Sequence, residues 1–196
     1  NMISGFYRPG AGRIETLGTD IAGWSMHATA RHGIARTYQA TRLFGTLSAE
    51  ENVLAGFPRG RFGGVFTALG TPKRRAMARG LLQLVGYDGD PGTRAADLPH
   101  VDRRLVEIAR ALAMRPGVLL LDEPAAGLMQ GDKRALSDLL CRLADTGIAV
   151  VLVEHDMELV MGISDRILAL DAGEPIAFGP PAAIRSDARV IAAYLG

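Results

Sequence analysis

Two adjacent carboxylates follow a short apolar run in the second half of the sequence. Residues 118–121 read Val-Leu-Leu-Leu, and Asp122, Glu123 and Pro124 come next. In open α/β sheets the working groups collect at the carboxyl ends of the strands. One carboxylate can orient Mg²⁺ through its water shell, while the other can activate a water for attack on a terminal phosphate. The alternative is a buried strand that ends in a solvated turn.

Other polar residues could serve such a site, although each is ambiguous when it is taken alone. Gln39 follows one predicted strand, but most glutamines are surface residues. His155 follows another, where a hydrogen-bonded turn histidine is the more common occupant. Arg103 and Arg104, by themselves, would form a solvated helix face. The order of the segments that carry these residues decides between the two interpretations.

The spacing of apolar residues predicts the elements that must position these side chains. Short apolar runs predict strands over residues 13–17, 34–38, 118–121, 148–153, 166–170 and 175–178. Helical spacing and end signals predict helices over residues 50–55, 72–85, 103–114, 133–144, 157–163 and 181–195, and residues 1–7 read as the tail of another helix. Apolar strands separated by helices predict a mainly parallel sheet that is covered on both faces.

The strand pattern is interrupted in the middle of the chain. Residues 48–114 carry helical patterns and loops, so we expect a helical subdomain inserted between two strands of the sheet. Residues 1–47 and 115–196 would then form the core of a single domain, for which 196 residues is an ordinary size. The predicted fold class is therefore α/β, with a mainly parallel sheet and an inserted α-helical part.

The composition narrows the class of protein. Hydrophobic residues make up 48% of the chain and charged residues 22%, as in ordinary globular proteins. There are 22 basic and 21 acidic residues, a balance that gives no support for a nucleic-acid partner. Cys141 is the single cysteine, so no internal disulfide can form and a reducing compartment is the default. The longest apolar runs fall far short of the roughly 20 residues that span a bilayer, so a membrane role requires a partner.

The order of the polar segments resembles the ATP-binding subunits of ABC transporters. A helix pattern over residues 103–113 leads into the run before Asp122, residues 125–128 read Ala-Ala-Gly-Leu, and residues 153–156 read Val-Glu-His-Asp. In that family these segments are the signature-motif helix, the Walker B strand, the D-loop and the switch histidine, and Gln39 stands at the Q-loop position. The resemblance covers the whole chain and implies a P-loop NTPase-like fold that uses ATP and Mg²⁺.

The resemblance implies a role for each matching residue. Glu123 would be the general base that activates water, and Asp122 would hold the Mg²⁺ shell. Gln39 would also contribute to the Mg²⁺ site and would couple it to the membrane subunit. His155 would contact the γ-phosphate of ATP. Glu123 and His155 are thus the expected catalytic residues, whereas Gln39 and Asp122 are the expected Mg-ATP and metal residues.

Within the family, the sequence is most similar to the branched-chain amino acid importer ATPases. Residues 33–39 read Gly-Ile-Ala-Arg-Thr-Tyr-Gln, and residues 42–44 and 51–54 continue that subgroup's Q-loop region. Residues 184–196 look like its characteristic C-terminal helix. Related importers of urea or amides share these features, so they remain open as an alternative at this point.

One family motif does not occur in the sequence. No G-x-x-x-x-G-K-[ST] is present, although that loop would cradle the ATP phosphates with backbone N–H groups and a lysine. In the family the loop lies just before the helix whose tail we assign to residues 1–7. Because the first residue is Asn rather than Met, we expect the sequence to be truncated at its amino end rather than to have lost the loop.

The signature motif itself departs from the family pattern. The family expects leucine, serine, a variable residue, glycine and glutamine, where this chain has Leu98, Pro99, His100, Val101 and Asp102. The proline removes a hydroxyl and a backbone N–H, the valine adds a branched side chain where backbone should approach phosphate, and the aspartate adds negative charge. The family's signature binds the partner subunit's ATP, so these substitutions would weaken the partner's site. Met129 likewise replaces a polar D-loop residue.

The resemblance also implies partners and a location. We expect a subunit that is soluble by itself and peripheral at the cytoplasmic face of the inner membrane. It would bind transmembrane permease subunits and a second ATPase subunit, act indirectly with a solute-binding protein, and bind no nucleic acid. An ABC-type ATPase acting on nucleic acid or ribosomes is one alternative, but the chain lacks the long basic or coiled-coil insertions that it predicts. A degenerate, non-catalytic cassette with a structural or regulatory role is the other.

Overall fold

The computed structural model describes residues 1–58 and 71–194, and these residues form short strands and helices in an α/β arrangement. The strands are β1 Glu15–Thr16, β2 Thr19–Asp20, β3 Ile34–Arg36, β4 Val118–Asp122, β5 Ala149–Val153, β6 Ile167–Asp171 and β7 Glu174–Gly179. The α-helices are α1 Met26–Arg31, α2 Ala49–Gly56, α3 Pro72–Leu84, α4 His100–Leu112, α5 Gln130–Asp145, α6 Met157–Ile163, α7 Pro181–Ser186 and α8 Ala188–Tyr194. Within these ranges, no helix combines the length and apolar character that crossing a membrane requires.

A parallel three-stranded sheet lies at the centre of the fold in the order β3-β4-β5. Ile34 pairs with Val118, and Val118 pairs with Ala149, so all three strands run in the same direction and end at the same edge. The predicted parallel sheet is confirmed for these strands. β1 and β2 pair antiparallel with each other, as do β6 and β7.

Helical elements occupy the described residues between β3 and β4. Helix α2 begins at a capping box, in which the Ser48 hydroxyl accepts the Glu51 N–H and the Glu51 carboxylate accepts the Ser48 N–H. Helix α3 begins after Thr71, with Pro72 in its first turn. A short 3₁₀ turn at Ala95–Asp97 precedes α4. The predicted helical stretch also includes residues 59–70, which lie outside the described residues.

The structure corrects the sequence-based prediction at the carboxyl end. At the amino end, Gly5 adopts a φ of 74°, its N–H donates to the carbonyl oxygen of Met2, and the Phe6 N–H donates to that of Asn1. This hydrogen-bond pattern is the one that ends an α-helix, so it agrees with the predicted helix tail at residues 1–7. The predicted helix over 181–195 is broken at Asp187, whose carboxylate accepts the Arg189 N–H at 2.8 Å and begins α8. Hydrogen bonds from Arg189 lower the pKa of Asp187 to about 2. Residue 195 lies outside the described residues.

A continuous apolar core joins α2, α3 and α4 to the sheet and to α5. Its fully buried side chains include Val53, Leu82, Ile108, Leu119 and Leu139. Helix α2 packs closely against helix α4 at Gly56, where the methyl group of an alanine would lie 2.2 Å from the carbonyl oxygen of Arg110. The glycine is therefore required by the packing distance between the two helices.

Gly56→Ala is expected to lower the free energy of unfolding by at least about 2 kcal/mol, because the added methyl group forces the two helix backbones apart. The change is measured by urea denaturation monitored by circular dichroism. Gly80→Ala is the matched control, since Gly80 lies within α3 and no atom comes within 4 Å of the added carbon. The control should leave stability unchanged or raise it by up to about 1 kcal/mol. Equal effects of the two substitutions would contradict the packing argument.

Candidate functional site

The carboxyl ends of β3, β4 and β5 bring together the four side chains that the sequence analysis places at the nucleotide's reacting end. The Gln39 side-chain amide donates a hydrogen bond to Glu123 Oε2 at 2.8 Å. On the other side of the same carboxylate, Nδ1 of His155 lies 3.9 Å from Glu123 Oε1. Asp122 precedes Glu123 as the last residue of β4. Glu123 is therefore flanked by an amide and an imidazole at the open edge of the sheet.

The backbone at Glu123 adopts a conformation that non-glycine residues rarely use. Its φ is 45°, in the left-handed region, and its N–H donates to the carbonyl oxygen of Val153 at 2.8 Å. The chain therefore turns out of β4 at Glu123 while it remains hydrogen bonded to β5. This turn directs the next residues away from the sheet and leaves the carboxylate partly exposed. Strained backbone of this kind is concentrated at functional sites.

Asp122 has an arginine partner that the sequence analysis did not identify. Arg36 Nη2 lies 2.9 Å from Asp122 Oδ2, and Arg36 Nη1 donates to Asn1 Oδ1 at 2.7 Å and to Ser4 Oγ at 2.9 Å. Arg36 is the last residue of β3, so it lies beside the end of β4 only because the two strands are parallel and in register. The pairing offsets part of the negative charge that two adjacent carboxylates bring to the site.

A buried carboxylate, Glu154, fixes the loop that carries His155. The Glu154 side chain is only 1% exposed, and it accepts hydrogen bonds from the N–H groups of Ala125 at 2.8 Å and of His155 at 3.1 Å. It thereby joins the turn after Glu123 to the end of β5. Glu154 was not predicted as a functional residue, although an acidic residue directly after an apolar strand is a signal that could have identified it.

Asp156, the residue after His155, is held in place by a side chain of helix α5. Asp156 accepts the Leu159 N–H at the start of α6, and its other oxygen pairs with Lys133 Nζ. The hydrogen bond from Lys133 lowers the pKa of Asp156 and raises the pKa of Lys133. His155 therefore projects from a segment that is held at Glu154 and again at Asp156, and its imidazole is 72% exposed.

Arg104 corrects the interpretation of the arginine pair as a solvated helix face. Its guanidinium is buried and donates to the carbonyl oxygens of Tyr38 at 2.8 Å and Gln39 at 3.0 Å. Its neighbour Arg103 is only partly buried and donates instead to the carbonyl oxygens of Leu98 and Ala96. Two adjacent arginines of one helix thus have different environments, because their side chains point to different sides of the helix.

The predicted signature residues lie at the start of α4. Pro99 is the residue that precedes the helix and offers no side-chain cap, and Val101 and Asp102 lie in its first turn. Burial, followed by the charge of Asp88, raises the pKa of Asp102. Across residues 1–58 and 71–194, no hydrogen bond or ion pair connects these residues with Gln39 or the Asp122–Glu123 pair. They form a second region, separate from the ends of the strands.

The oxygen-rich end of the sheet suits a hard divalent cation. Mg²⁺ is bound by one or two carboxylates together with substrate phosphates and waters, so a cage of protein ligands is not required. Asp122 supplies a carboxylate and Gln39 supplies an amide oxygen at the same sheet edge. In the part of the chain that the structure describes, no group of three or more His, Cys, Asp and Glu side chains could hold a metal by itself. The residues present therefore fit a cation that arrives with a phosphate ligand.

Comparison with known proteins identifies the family. A family model described as "ABC transporter" matches residues 1–126, which is more than half of the chain. The chain belongs to the ABC transporter ATPase family. A second model, "Branched-chain amino acid ATP-binding cassette transporter", matches residues 174–196 at the carboxyl end. The expected membership and the α/β fold class are both confirmed.

Individual members of the ABC family match along the whole chain. The "High-affinity branched-chain amino acid transport ATP-binding protein LivG" of Escherichia coli K12 is 38% identical over 205 residues, which cover 100% of this chain and 80% of LivG. A solved "nucleotide-free ATP-binding cassette from an ABC transporter" superposes with a TM-score of 0.85 at 25% identity and covers 100% of this chain and 81% of its own. The ATP-binding cassette MJ0796, solved as a dimer with ADP and Pi, superposes with a TM-score of 0.78 at 25% identity and covers 92% of this chain and 78% of its own.

The similarity to ABC transport proteins can be compared with the two alternative functions predicted above, an ATPase acting on nucleic acid or ribosomes and a non-catalytic cassette. LivG is a transport protein by name, and it matches the chain through both the strand ends and the degenerate signature region. A nucleic-acid or ribosomal role therefore gains no support. The comparisons likewise give no support for a degenerate cassette that acts only as a structural or regulatory partner.

Proposed function

We propose that the chain is the ATP-hydrolysing part of an ABC importer subunit that energises the uptake of branched-chain amino acids. The observation that carries this proposal is the position of the Glu123 carboxylate, which lies 2.8 Å from the Gln39 amide and 3.9 Å from the His155 imidazole. A carboxylate with two polar neighbours at an open sheet edge can orient and deprotonate a water molecule. The whole-chain match to LivG supports the same activity.

In the proposed reaction each of these residues has a defined role. Glu123 accepts the proton of the attacking water, and the hydrogen bond from Gln39 orients the carboxylate. His155, exposed beside Glu123, donates a hydrogen bond to the terminal phosphate. Mg²⁺, when bound with ATP, offsets phosphate charge, and Asp122 and Gln39 are the residues that would hold it. The strained turn at Glu123 keeps the carboxylate directed towards the opening of the sheet.

The proposed solute and partners rest on the relatives. LivG is by name an ATP-binding protein of branched-chain amino acid transport, and the family model for that subgroup matches residues 174–196. The solved MJ0796 cassette is a dimer, which supports a second ATPase subunit as a partner. Transmembrane permease subunits, an indirect role for a solute-binding protein and a position at the cytoplasmic face of the membrane complete the proposal. In the dimer, Pro99, Val101 and Asp102 would face the ATP of the partner subunit.

The proposal is tested with a longer form that supplies a phosphate-binding loop ahead of residue 1. This form is reconstituted in proteoliposomes with its permease subunits and binding protein, and phosphate release is followed with leucine, isoleucine, valine, urea or acetamide present. We expect the branched-chain amino acids to stimulate hydrolysis and the amides to leave it at its basal rate. Stimulation by urea or acetamide instead would reassign the solute, and the absence of hydrolysis under all conditions would overturn the proposed activity.

The 196-residue chain alone is expected to bind Mg-ATP more weakly than micromolar. The sequence contains no phosphate-binding loop, and Asp122 and Glu123 present negative charge to a polyanion. Isothermal titration calorimetry of the purified chain with Mg-ATP measures this affinity, and the longer form serves as the control. A micromolar dissociation constant for the chain alone would show that another group of donors, such as Arg36, replaces the loop.

A further inference from the structure

A buried ion pair in helix α4 requires an explanation that core packing does not provide. The side chains of Arg104 and Glu107 are 2% and 1% exposed, and Arg104 Nη1 lies 3.1 Å from Glu107 Oε2. Burying two charges costs about as much free energy as their attraction returns, so such a pair is weak evidence for a stabilising role. What the pair touches is therefore more informative than the pair itself.

Both members of the pair bind the same loop, residues 38–42, between β3 and α2. Arg104 donates from Nη1 to the carbonyl oxygen of Tyr38 and from Nη2 to that of Gln39. Glu107 Oε1 accepts the backbone N–H of Arg42 at 3.2 Å. The loop is thus held near its beginning and at its end by two adjacent turns of one helix.

These side-chain contacts replace the backbone hydrogen bonds that a strand or helix would supply. Thr37 N–H still donates to Leu120 in the sheet, and the next backbone–backbone hydrogen bond joins Leu47 to Phe44. In the described residues, the backbone groups of residues 38–43 make no hydrogen bond to another backbone group. The position of Gln39 therefore depends on Arg104 and Glu107.

We infer that Arg104 is a positioning residue, which holds the Gln39 backbone so that the Gln39 side-chain amide reaches Glu123. The inference rests on the proposed function, because it gives the 2.8 Å contact between Gln39 and Glu123 a role in hydrolysis. Arg104 itself touches neither Glu123 nor the Gln39 amide, so it acts through the backbone alone.

The chemistry of the contact requires an arginine. A guanidinium presents N–H donors on separate nitrogens in a fixed planar fork, so Nη1 and Nη2 can each take one carbonyl oxygen. A lysine ammonium keeps the positive charge beside Glu107, but it is a compact point charge on a flexible stem. Arg104→Lys therefore separates the positioning role from the need to neutralise Glu107.

The test follows the Gln39 side-chain amide by NMR in the ¹⁵N- and ¹³C-labelled chain. In Arg104→Lys the Gln39 side-chain signals should move towards the values of a solvent-exposed glutamine, and the Tyr38 carbonyl signal should shift as well. Arg103→Lys is the matched control, since Arg103 is the adjacent arginine and, in the part of the chain that the structure describes, donates its side-chain hydrogen bonds to Leu98 and Ala96. In the control the Gln39 signals should stay in place. A shifted Tyr38 signal with unchanged Gln39 side-chain signals would overturn the inference.

A second variant keeps the inference testable if Arg104→Lys does not fold. Glu107→Gln retains the size of the side chain and an oxygen acceptor but releases the guanidinium from its charged partner. The same Gln39 signals should shift in the same direction by a smaller amount, and unchanged signals would again overturn the inference.

The kinetic consequence is measured in the longer form used to test the proposed function. Arg104→Lys should lower kcat at least about tenfold while the KM for ATP stays within about twofold, because Arg104 does not contact the nucleotide. A raised KM with unchanged kcat would contradict the positioning role. If the unmodified longer form hydrolyses no ATP, the proposed function fails, whereas the NMR comparison still decides how Gln39 is positioned.

Discussion

Glu123→Gln is expected to lower the rate of ATP hydrolysis at least about a hundredfold while nucleotide binding is retained. Glutamine keeps the shape of the side chain and can still contact Gln39, but it cannot accept the proton of the attacking water. General-base catalysis is typically worth about 10²–10⁴-fold in rate, which sets the size of the effect. Steady-state phosphate release and equilibrium nucleotide binding are measured in the longer form that carries a phosphate-binding loop.

The control for this substitution is Glu174→Gln, which makes the same chemical change at the exposed first residue of β7. Its turnover should equal that of the unmodified protein. Near-normal turnover in Glu123→Gln would remove the general base from the proposed mechanism and would favour the non-catalytic alternative. A loss of nucleotide affinity together with turnover would instead show that Glu123 holds the ligand and does not act on water.

Arg104→Ala is expected to lower the free energy of unfolding by about 3–5 kcal/mol. The substitution leaves Glu107 buried without its closest charged partner, since Arg110 lies farther away at 3.8 Å. It also leaves the carbonyl oxygens of Tyr38 and Gln39 without their donors. Urea denaturation of the chain measures the loss. Arg103→Ala, which removes hydrogen bonds to the carbonyl oxygens of Leu98 and Ala96, should cost about 1 kcal/mol.

The pH dependence of stability tests whether the buried carboxylate of Glu107 causes the destabilisation expected in Arg104→Ala. Burial is the largest influence on this carboxyl and raises its pKa in the folded protein, although hydrogen bonds and the charges of Arg104 and Arg110 oppose the rise. Folded Glu107 therefore binds its proton more tightly than unfolded Glu107, so its contribution to stability is largest at acid pH and is lost as pH rises through the folded pKa. Removing Arg104 takes away one opposing charge and should steepen this loss.

This expectation is checked by unfolding titrations between about pH 4 and pH 8, with Glu107→Gln as the reference that cannot titrate. The difference in stability between Arg104→Ala and the unmodified chain should grow as the pH rises. In the double variant Arg104→Ala/Glu107→Gln that growth should disappear. A pH-independent difference would mean that lost packing, and not the uncompensated charge of Glu107, causes the destabilisation.

Local sequence patterns were sufficient to predict most of the helices and strands. Helix α6 has the predicted bounds, and α3 ends one residue before its predicted end, because apolar spacing and terminal residues lie within the segment itself. The predicted helix over residues 181–195 failed at Asp187, whose carboxylate caps a new helix by accepting the N–H of Arg189, two residues farther along. Such a cap does not alter the spacing of the apolar residues, so periodicity alone did not predict the break.

The sequence by itself determined the family, the α/β class and the four residues of the candidate site, because the order of its motifs and the carboxyl ends of its strands are local properties. Only the tertiary structure decided how those residues are held. Arg36 reaches Asp122 through strand register, Glu154 joins the turn after Glu123 to the end of β5, and Arg104 fixes Gln39 from helix α4. Each of these partners is a charged side chain whose burial and contacts come from chain segments far apart in sequence. The spacing of apolar residues predicts which face of a helix or strand is buried. It does not predict which distant carbonyl or carboxylate group a buried charged side chain will contact.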